Sequence, residues 1–534
     1  LAVISDQPKI ICTKTIWSKG MRGIEKIGLG LFLVGLIAFL VIPFLGSYRL
    51  SEELVLENTK EIHREKMAEL LSPLYGKEYG SSFSFLAAYR DQFSPYNDDL
   101  KSQQLWDDVI WDDYTFPIAK ASLQSPVKKN PWIYFGLSIG MAVLGGFLNN
   151  FRKHADQPEG VKNNGIFHSS MKNRGWMGIV TGTLLILFYV VLYWFPAYLV
   201  NLVAMVDPIS RFLSGNPASQ WFLYGLIYTL AILVMGIRIF RKYRGNRYQQ
   251  LRTASVMFFQ TAFAFLIPEI LVLLNQPYFD FKNIWPLDYD FFYEYQISTF
   301  LSAGGVGMFM LVWGILLILV GVPVFTYFFG KRWYCSWVCG CGGLAETVGD
   351  PYRQLSDKSL KAWKYERWIV HSVLALAVVM TVLTIANYFS GFSLLGNVTN
   401  QLHSFYGFAI GSAFAGVVGT GFYPFMGNRV WCRFGCPLAA YLGIVQRFKS
   451  RFRITTNGGQ CISCGNCSTY CEMGIDVRWY AQRGQNIVRA SCVGCGVCAS
   501  VCPRGVLKLE NGPEQNRINE LPILIGNDSI KIKL

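Results

Sequence analysis

Cys461-Ile-Ser-Cys464-Gly-Asn-Cys467-Ser-Thr-Tyr-Cys471 and Cys492-Val-Gly-Cys495-Gly-Val-Cys498-Ala-Ser-Val-Cys502-Pro503 decide how the C-terminal part of this chain folds. Each is a Cys-x2-Cys-x2-Cys-x3-Cys run, and this density of thiols has few chemical uses. A cubane [4Fe–4S] cluster needs four converging thiolates, three of which a short segment can supply by wrapping one face. Gly465, Gly494 and Gly496 lie between the cysteines, where the backbone has to curl tightly. Zinc sites use separated Cys-x2-Cys pairs, four ligands to a metal, and fit two runs of four poorly. Disulfides need an oxidising compartment, which the topology below argues against. The expectation is two [4Fe–4S] sites built from these eight cysteines.

The spacing resembles that of bacterial two-cluster ferredoxins, in which the fourth cysteine of each run serves the other cluster. That resemblance implies one ligand set of Cys461, Cys464, Cys467 and Cys502, and a second of Cys492, Cys495, Cys498 and Cys471. It departs at Glu472, which follows Cys471 where proline is usual. A carboxylate there is expected to lower the second cluster's potential slightly.

Upstream, the composition is that of a membrane protein: 52% hydrophobic and 15% aromatic residues over 534 positions, with a mean hydropathy of +0.29. Apolar runs of about 20 residues, enough for a bilayer-spanning helix, fall near 27–46, 132–150, 176–196, 220–240, 254–275, 306–328, 367–388 and 404–426. The first is too long for a signal peptide. Lysine and arginine alternate between the loops. Lys9, Lys14, Lys19, Arg22 and Lys26 precede the first run, and Arg152, Lys153, Lys162, Lys172 and Arg174 follow the second. Arg238, Arg241, Lys242, Arg244, Arg247 and Arg252 follow the fourth, and Lys331 and Arg332 open a basic loop after the sixth. The other loops are nearly bare, with Arg211 and Lys282 as isolated charges, and the long first one is acidic at Asp107, Asp108, Asp112 and Asp113. The positive-inside rule then places both termini and the cysteine-rich domain in the cytoplasm of a bacterial or archaeal cell, in a multi-pass protein of the cytoplasmic membrane. The +15 net charge is topogenic, can meet anionic lipid headgroups, and calls for no nucleic acid.

The expected organisation follows. Residues 1–26 lead in from the cytoplasm and 27–46 form transmembrane helix 1. Residues 50–130 form an external segment with a helical stretch near 52–71, a docking domain or a lid. Residues 131–445 are the membrane body with helices 2–8. Residues 446–510 are an α+β dicluster domain, and 511–534 a tail.

A second repeat sits at the ends of two helices. Gly330-Lys-Arg-Trp-Tyr-Cys335-Ser-Trp-Val-Cys339-Gly340-Cys341 and Gly427-Asn-Arg-Val-Trp-Cys432-Arg-Phe-Gly-Cys436-Pro437 share Gly-x-Arg-x-aromatic-Cys-x-aromatic-x-Cys, 97 residues apart. Cys-x3-Cys places two thiols on one face of a helical turn. Brought together, the two pairs would form a third [4Fe–4S] site from Cys335, Cys339, Cys432 and Cys436, with Cys341 as an alternative ligand. The competing reading is a set of small buried residues that hold helix ends together. Arg332 and Arg429 would face the cluster or snorkel to headgroups.

These features together resemble the membrane-bound polyferredoxins of the NapH, NosR and CcoG type, over about residues 300–510. Cys432-x3-Cys436-Pro437 fits that pattern; the first copy has Gly340-Cys341 in place of proline. The resemblance implies an electron-transfer subunit that relays single electrons between the quinone pool or a membrane partner and a redox partner, an iron–sulfur or flavoprotein subunit of a respiratory or related complex. Quinol dehydrogenation is the activity such a subunit would share in. The alternatives are an assembly factor that reduces a metal or thiols while an oxidase or reductase matures, and a redox sensor. No Cys-x-x-Cys-His motif and no NosR-type flavinylation threonine occur, so neither haem nor covalent flavin is expected.

Glu269, after Pro268 in the fifth apolar run, is a candidate proton or quinone site, because an ionisable group at that depth is expensive. The bland reading is a carboxylate that satisfies backbone freed by the proline. Gln260 and Thr261 would line a similar face. His63, His154, His168, His371 and His403 do not pair at one depth. Cys12 reads as a lone thiol, Trp132, Trp176, Trp194, Trp221 and Trp368 as interfacial belts, and residues 50–130 could meet an external partner.

Overall fold

The computed structural model describes residues 14–104, 109–110, 114–151, 172–391, 393–457 and 460–511, with side chains from residue 23 onward. Expectations placed on Lys9, Cys12, Asp107, Asp108, Asp112, Asp113, Arg152, Lys153, His154, Lys162, His168 and the tail beyond 511 lie outside these residues, as do the side chains of Lys14, Lys19 and Arg22.

Among the described residues, eight helices are long and apolar enough to cross a membrane: Gly23–Phe44, Pro131–Phe151, Trp176–Trp194, Gln220–Lys242, Arg247–Leu273, Gly304–Phe329, Leu360–Phe389 and Val398–Gly421. All eight coincide with the apolar runs read from sequence. Their outward faces stay apolar, with Ile37, Leu187, Leu319 and Val382 all more than half exposed, as a lipid solvent allows. Trp132, Trp176, Trp221 and Trp368 are exposed near helix ends, as belts require.

The chain divides into two compact units, residues 1–157 with 191–241, and residues 158–190 with 242–534. In the first, the Gly23–Phe44 and Pro131–Phe151 helices press backbone to backbone. A Cβ at Gly35 would come within 2.6 Å of Ser138 O and Ala142 N, and one at Gly145 would overlap Phe32 N and Gly28 O. Small residues permit this approach, which supplies the packing that hydrophobicity cannot supply in lipid. Residues 47–130 fold as a small layered domain. Its three short antiparallel strands, β1 (Ser47–Arg49), β2 (Glu78–Tyr79) and β3 (Leu123–Gln124), run in the order β2-β1-β3. The helical stretch expected near 52–71 is two helices, Glu52–Glu57, capped by Ser51, and Arg64–Leu71. Tyr48, Leu50, Val55, Met67, Leu71, Phe85, Tyr89 and Ile118 form its core.

The second unit holds every cysteine motif. Its core is one continuous cluster running from the helix interior (Phe300, Met310, Ile318) through Cys335, Cys339, Cys432 and Cys436 to the dicluster domain (Ile454, Val477, Val493, Leu507). That domain is closed by β4 (Phe452–Thr456) paired antiparallel with β5 (Leu507–Asn511). The helix Pro437–Lys449 leads directly into β4, so the domain is joined to the membrane body with no free linker.

Candidate iron–sulfur centres

The two cysteine runs of the dicluster domain repeat at an offset of 31 residues, and the backbone repeats with them. Ser463 and Gly494, Gly465 and Gly496, and Gly474 and Gly505 occupy equivalent places, and all six have φ between 59° and 78°. Left-handed Gly465 and Gly496 each open a four-residue helix, Asn466–Thr469 and Val497–Ser500, that carries the third cysteine of its run. Ile475 N–H then donates to Cys471 Sγ at 3.4 Å, and Val506 N–H to Cys502 Sγ at 3.3 Å. Two cavities result. Cys461, Cys464, Cys467 and Cys502 line one; Cys492, Cys495, Cys498 and Cys471 line the other. The fold thus brings together the same two quartets that the ferredoxin resemblance implies. Burial pushes the thiols of Cys467 and Cys492 up to about 11, so these groups stay protonated unless a metal displaces the proton. Four inward thiols around a cavity with apolar walls fit an iron–sulfur cluster.

The helix-end repeat converges as well. Arg429 Nη1 lies 3.1 Å from Cys335 O and 3.7 Å from Cys432 Sγ, tying the two copies together. Each of the thiols of Cys335, Cys339, Cys341, Cys432 and Cys436 stands within electrostatic reach of at least two of the others. Cys341 is exposed where the other four are buried. Its thiol hydrogen-bonds Cys339, so both reach the same place.

One expectation is corrected. Cys335 and Cys339 do not share a helical turn, and neither do Cys432 and Cys436. The chain leaves its short helical turn, and Cys339 and Cys436 become the extended N-cap residues of the helices Gly340–Thr347 and Pro437–Lys449. Cys436 Sγ accepts from Ala439 N–H at 3.4 Å. A helix N-terminus favours a thiolate there. Because the first helical N–H is unpaired anyway, Gly340 can stand where Pro437 does; the caps differ in that Cys339 makes no side-chain hydrogen bond like the one from Ala439 N–H to Cys436.

A buried charge network joins the helix-end thiols to the dicluster domain. The Glu346 carboxylate accepts from Arg252 at 2.5 and 2.8 Å, from Arg353 at 2.7 Å and from Arg429 at 2.8 Å. Glu472 lies 3.1 Å from Arg353 Nη1 and 3.2 Å from Arg429 Nη2. Lys242 pairs with Asp350 at 2.8 Å. Arg353 Nη1 also reaches Cys495 Sγ at 3.9 Å, as Arg429 reaches Cys432. Burial by itself would raise the Glu346 pKa, but the three guanidiniums hold its carboxyl well below the usual range. Oxygens of Glu346 and Glu472 and the Cys495 sulfur lie within 4.8 Å of one another. The guanidiniums already neutralise those carboxylates, so this is an ion-pair network and not a cation site. Glu472 is therefore not a bare carboxylate beside a cluster, as its sequence position suggested. Arg429 is buried in ion pairs and does not snorkel, while Arg332 stacks 4.5 Å over Phe452.

The loop between the fifth and sixth spans also departs from expectation. Residues 276–293 fold back among the helices. Trp313, within the sixth span, donates to Phe281 O at 3.2 Å; Trp285 donates to Thr381 of the seventh span at 2.9 Å; Tyr334, just before Cys335, donates to Lys282 O at 2.9 Å. Lys282, read as an isolated loop charge, is largely buried and paired with Asp280 at 2.9 Å. Burial alone would lower its pKa, but Asp280 and the thiols of Cys339 and Cys341 outweigh it and raise the value. Burial pushes Asp288 up to about 7, with Asp290 and Asp280 adding to the rise. Asp290 pairs with His403 at 2.7 Å. Aromatic and charged residues alternate too closely here for any periodicity to signal a buried segment. Glu269 is half-buried in Ile267–Leu273 and lies near Tyr278 at the start of the same loop. Gln260 is buried and Thr261 half-buried. His63 bonds Tyr114, and His371 bonds Arg367 O.

Comparison with known proteins agrees with this geometry. A 4Fe–4S binding domain family matches residues 311–359 and again 407–455, and a 4Fe–4S dicluster domain family matches 460–507. The two copies of the first match bracket the two helix-end motifs. Residues 311–507 therefore carry ferredoxin-type 4Fe–4S domains. These domains are consistent with two or more [4Fe–4S] clusters. The chain is 28% identical over 159 residues to the "Putative electron transport protein YccM" of Escherichia coli (strain K12), covering 28% of this chain and 43% of that protein. It is 27% identical over 161 residues to the methylamine utilization ferredoxin-type protein MauN of Methylobacillus flagellatus, covering 29% of this chain and 53% of that one. The matches thus span only about half the length of these relatives. No solved structure matches the chain.

The sequence reading did not find Glu346, Asp350, Arg353 or Lys242. A signal existed: Glu346 interrupts the otherwise uncharged run from Trp333 to Val348, immediately after a cysteine motif. An unpaired charge in such a run would be too costly to bury.

Proposed function

We propose that the chain relays single electrons between the membrane and a redox partner through three [4Fe–4S] clusters. The ligand sets are Cys461, Cys464, Cys467 and Cys502; Cys492, Cys495, Cys498 and Cys471; and Cys335, Cys432 and Cys436 with Cys339 or Cys341. Each cubane, when bound, supplies one-electron redox chemistry. The polypeptide holds the thiolates, excludes water with Ile, Val and Phe side chains, and compensates charge. The observation that carries the reading is the shared ion network. Arg429 touches Cys432, Arg353 touches Cys495, and both bind Glu346 and Glu472. It gives the helix-end thiols and the second dicluster site one rigid, charge-balanced wall.

In this reading the helix-end site meets the membrane-phase donor or acceptor, a quinone or a membrane subunit, and the dicluster domain meets a cytoplasmic one. Quinol oxidation releases protons, and in this reading Glu269 accepts them, with Asp288, which burial pushes up to about 7, as a second carboxyl. The domain bounds are those given above, with both termini cytoplasmic. An anaerobic EPR redox titration of the purified protein, with iron and sulfide quantified and menaquinol as one reductant, tests the proposal. Three clusters, at least one reduced by quinol, are expected. Two clusters that do not respond to quinol would remove the helix-end site and favour an assembly or sensing role.

A further inference from the structure

The two sites of the dicluster domain differ in exposure. Cys492 and Cys498 are buried, while Cys464 is exposed and Cys461 and Cys502 are half-buried. The reason is how the domain sits on its helices. Tyr248 donates to Gly494 O at 2.7 Å, Gln249 to Cys495 O at 2.7 Å, Ser336 to Val493 O at 2.7 Å and Gln446 to Cys492 O at 2.9 Å. These bonds all fall on the second cysteine run, which turns the first run outward.

The outward edge has a definite chemistry. Arg478 and Arg504 line the cavity of the first site, and Arg483 stacks 3.9 Å over Trp479 beside it. All three arginines are exposed. Among the described residues from 460 to 511, no carboxylate is exposed: Glu472 is buried in the ion network, Asp476 binds Ser468 at 2.6 Å, and Glu510 binds Thr455 at 2.9 Å. Ile462 (54%), which lines the same cavity, and Trp479 (43%), under Arg483, are exposed apolar side chains on this edge. Exposed arginines beside exposed apolar side chains are complementary to a carboxylate-rich protein surface, and the field they cast steers such a partner to this edge.

We infer that the Cys461–Cys464 edge is the docking port for an acidic one-electron carrier protein, seated on Arg478, Arg483 and Arg504. The inference rests on the reading that Cys461, Cys464, Cys467 and Cys502 hold a cluster. One electron crosses with no bond made and no proton moved: the site loses one electron and the carrier gains one, or the reverse. A protein is favoured over anionic lipid because the second cysteine run, not the first, faces the helices.

The test uses the full chain in lipid nanodiscs, pre-reduced anaerobically and mixed by stopped flow with an oxidised acidic flavodoxin or a basic cytochrome c. The wild-type flavodoxin rate constant should fall as ionic strength rises. The Arg478→Glu/Arg483→Glu/Arg504→Glu variant should lose at least about tenfold at low salt, while its cytochrome c rate rises. EPR checks that cluster content is unchanged; if the triple reversal loses iron, the Arg→Gln triple replaces it, with a several-fold loss expected. Equal flavodoxin rates in wild type and variant, or rates indifferent to salt, overturn the inference. So does quenching by brominated lipids of the emission lost in Trp479→Phe, which would make this a lipid-facing surface. Cys461→Ser is the separate control: if it removes no EPR signal, the cluster assignment falls and not the docking geometry.

Discussion

Replacing Glu346 with glutamine should destabilise the protein by about 3–5 kcal/mol, the usual result of removing one partner from a buried ion pair. The structure gives the magnitude independently. The carboxylate accepts four charge-assisted hydrogen bonds, from Arg252, Arg353 and Arg429. Glutamine fills the same volume but keeps one acceptor oxygen and turns an N–H2 toward guanidiniums. About two of the four bonds are lost, at roughly 1.5–3 kcal/mol each. Lys242, Arg252, Arg353 and Arg429, four cations, now balance Asp350, Glu346 and Glu472, three anions. The variant raises the excess from one positive charge to two. Reversible unfolding in mixed micelles, followed by tryptophan fluorescence, measures the difference. Adding Arg252→Gln removes one stranded cation, so the double variant should recover about 0.5–3 kcal/mol relative to the sum of the singles. The carboxyl is held below its unfolded value, so its contribution is full above about pH 4.3 and fades only as pH falls through the depressed folded value. An Glu346→Gln variant within about 1 kcal/mol of wild type, or a strictly additive double variant, would show that these arginines are not held by one another's counter-ions.

Three further outcomes are expected. Cys432→Ser should remove about a third of the bound iron and one EPR signal while leaving the two dicluster signals, and comparing Cys339→Ser with Cys341→Ser should show which of the two supplies the fourth thiolate. Asp288, pushed up to about 7, binds its proton more tightly folded than unfolded, so its contribution is full below about pH 4 and is lost as pH rises toward 7; Asp288→Asn should flatten that slope, read by thermal unfolding between those limits, and remove a protonated-carboxyl infrared band. Gly145→Val should force apart the Gly23–Phe44 and Pro131–Phe151 helices, costing about 1–3 kcal/mol, whereas valine at Gly30, where a side chain meets nothing, should be neutral.

Much of this protein was legible without coordinates because its constraints are local or periodic. Thiol spacing of two and three residues reflects how a short backbone wraps a cubane, and the repeat at 31 residues reappears as matched left-handed turns at Ser463/Gly494, Gly465/Gly496 and Gly474/Gly505. The eight spans were readable because lipid tolerates no other long apolar element. What the sequence could not specify were meetings between distant residues. Glu346 finds Arg252 and Arg429 from 94 and 83 positions away. The 276–293 segment carries the charges of a loop yet is folded among helices: Lys282 pairs with Asp280, Asp290 pairs with His403 from another helix, and burial shifts Asp288 toward its neutral form. Cys339 and Cys436 leave their helical turns and become the N-cap residues of the next helices. Spacing alone marked the cysteine runs and the stretches apolar enough to enter lipid. Only tertiary packing decided which charges neutralise one another, which loop is buried, and which cysteine site faces outward, because each depends on desolvation by residues far apart in the chain.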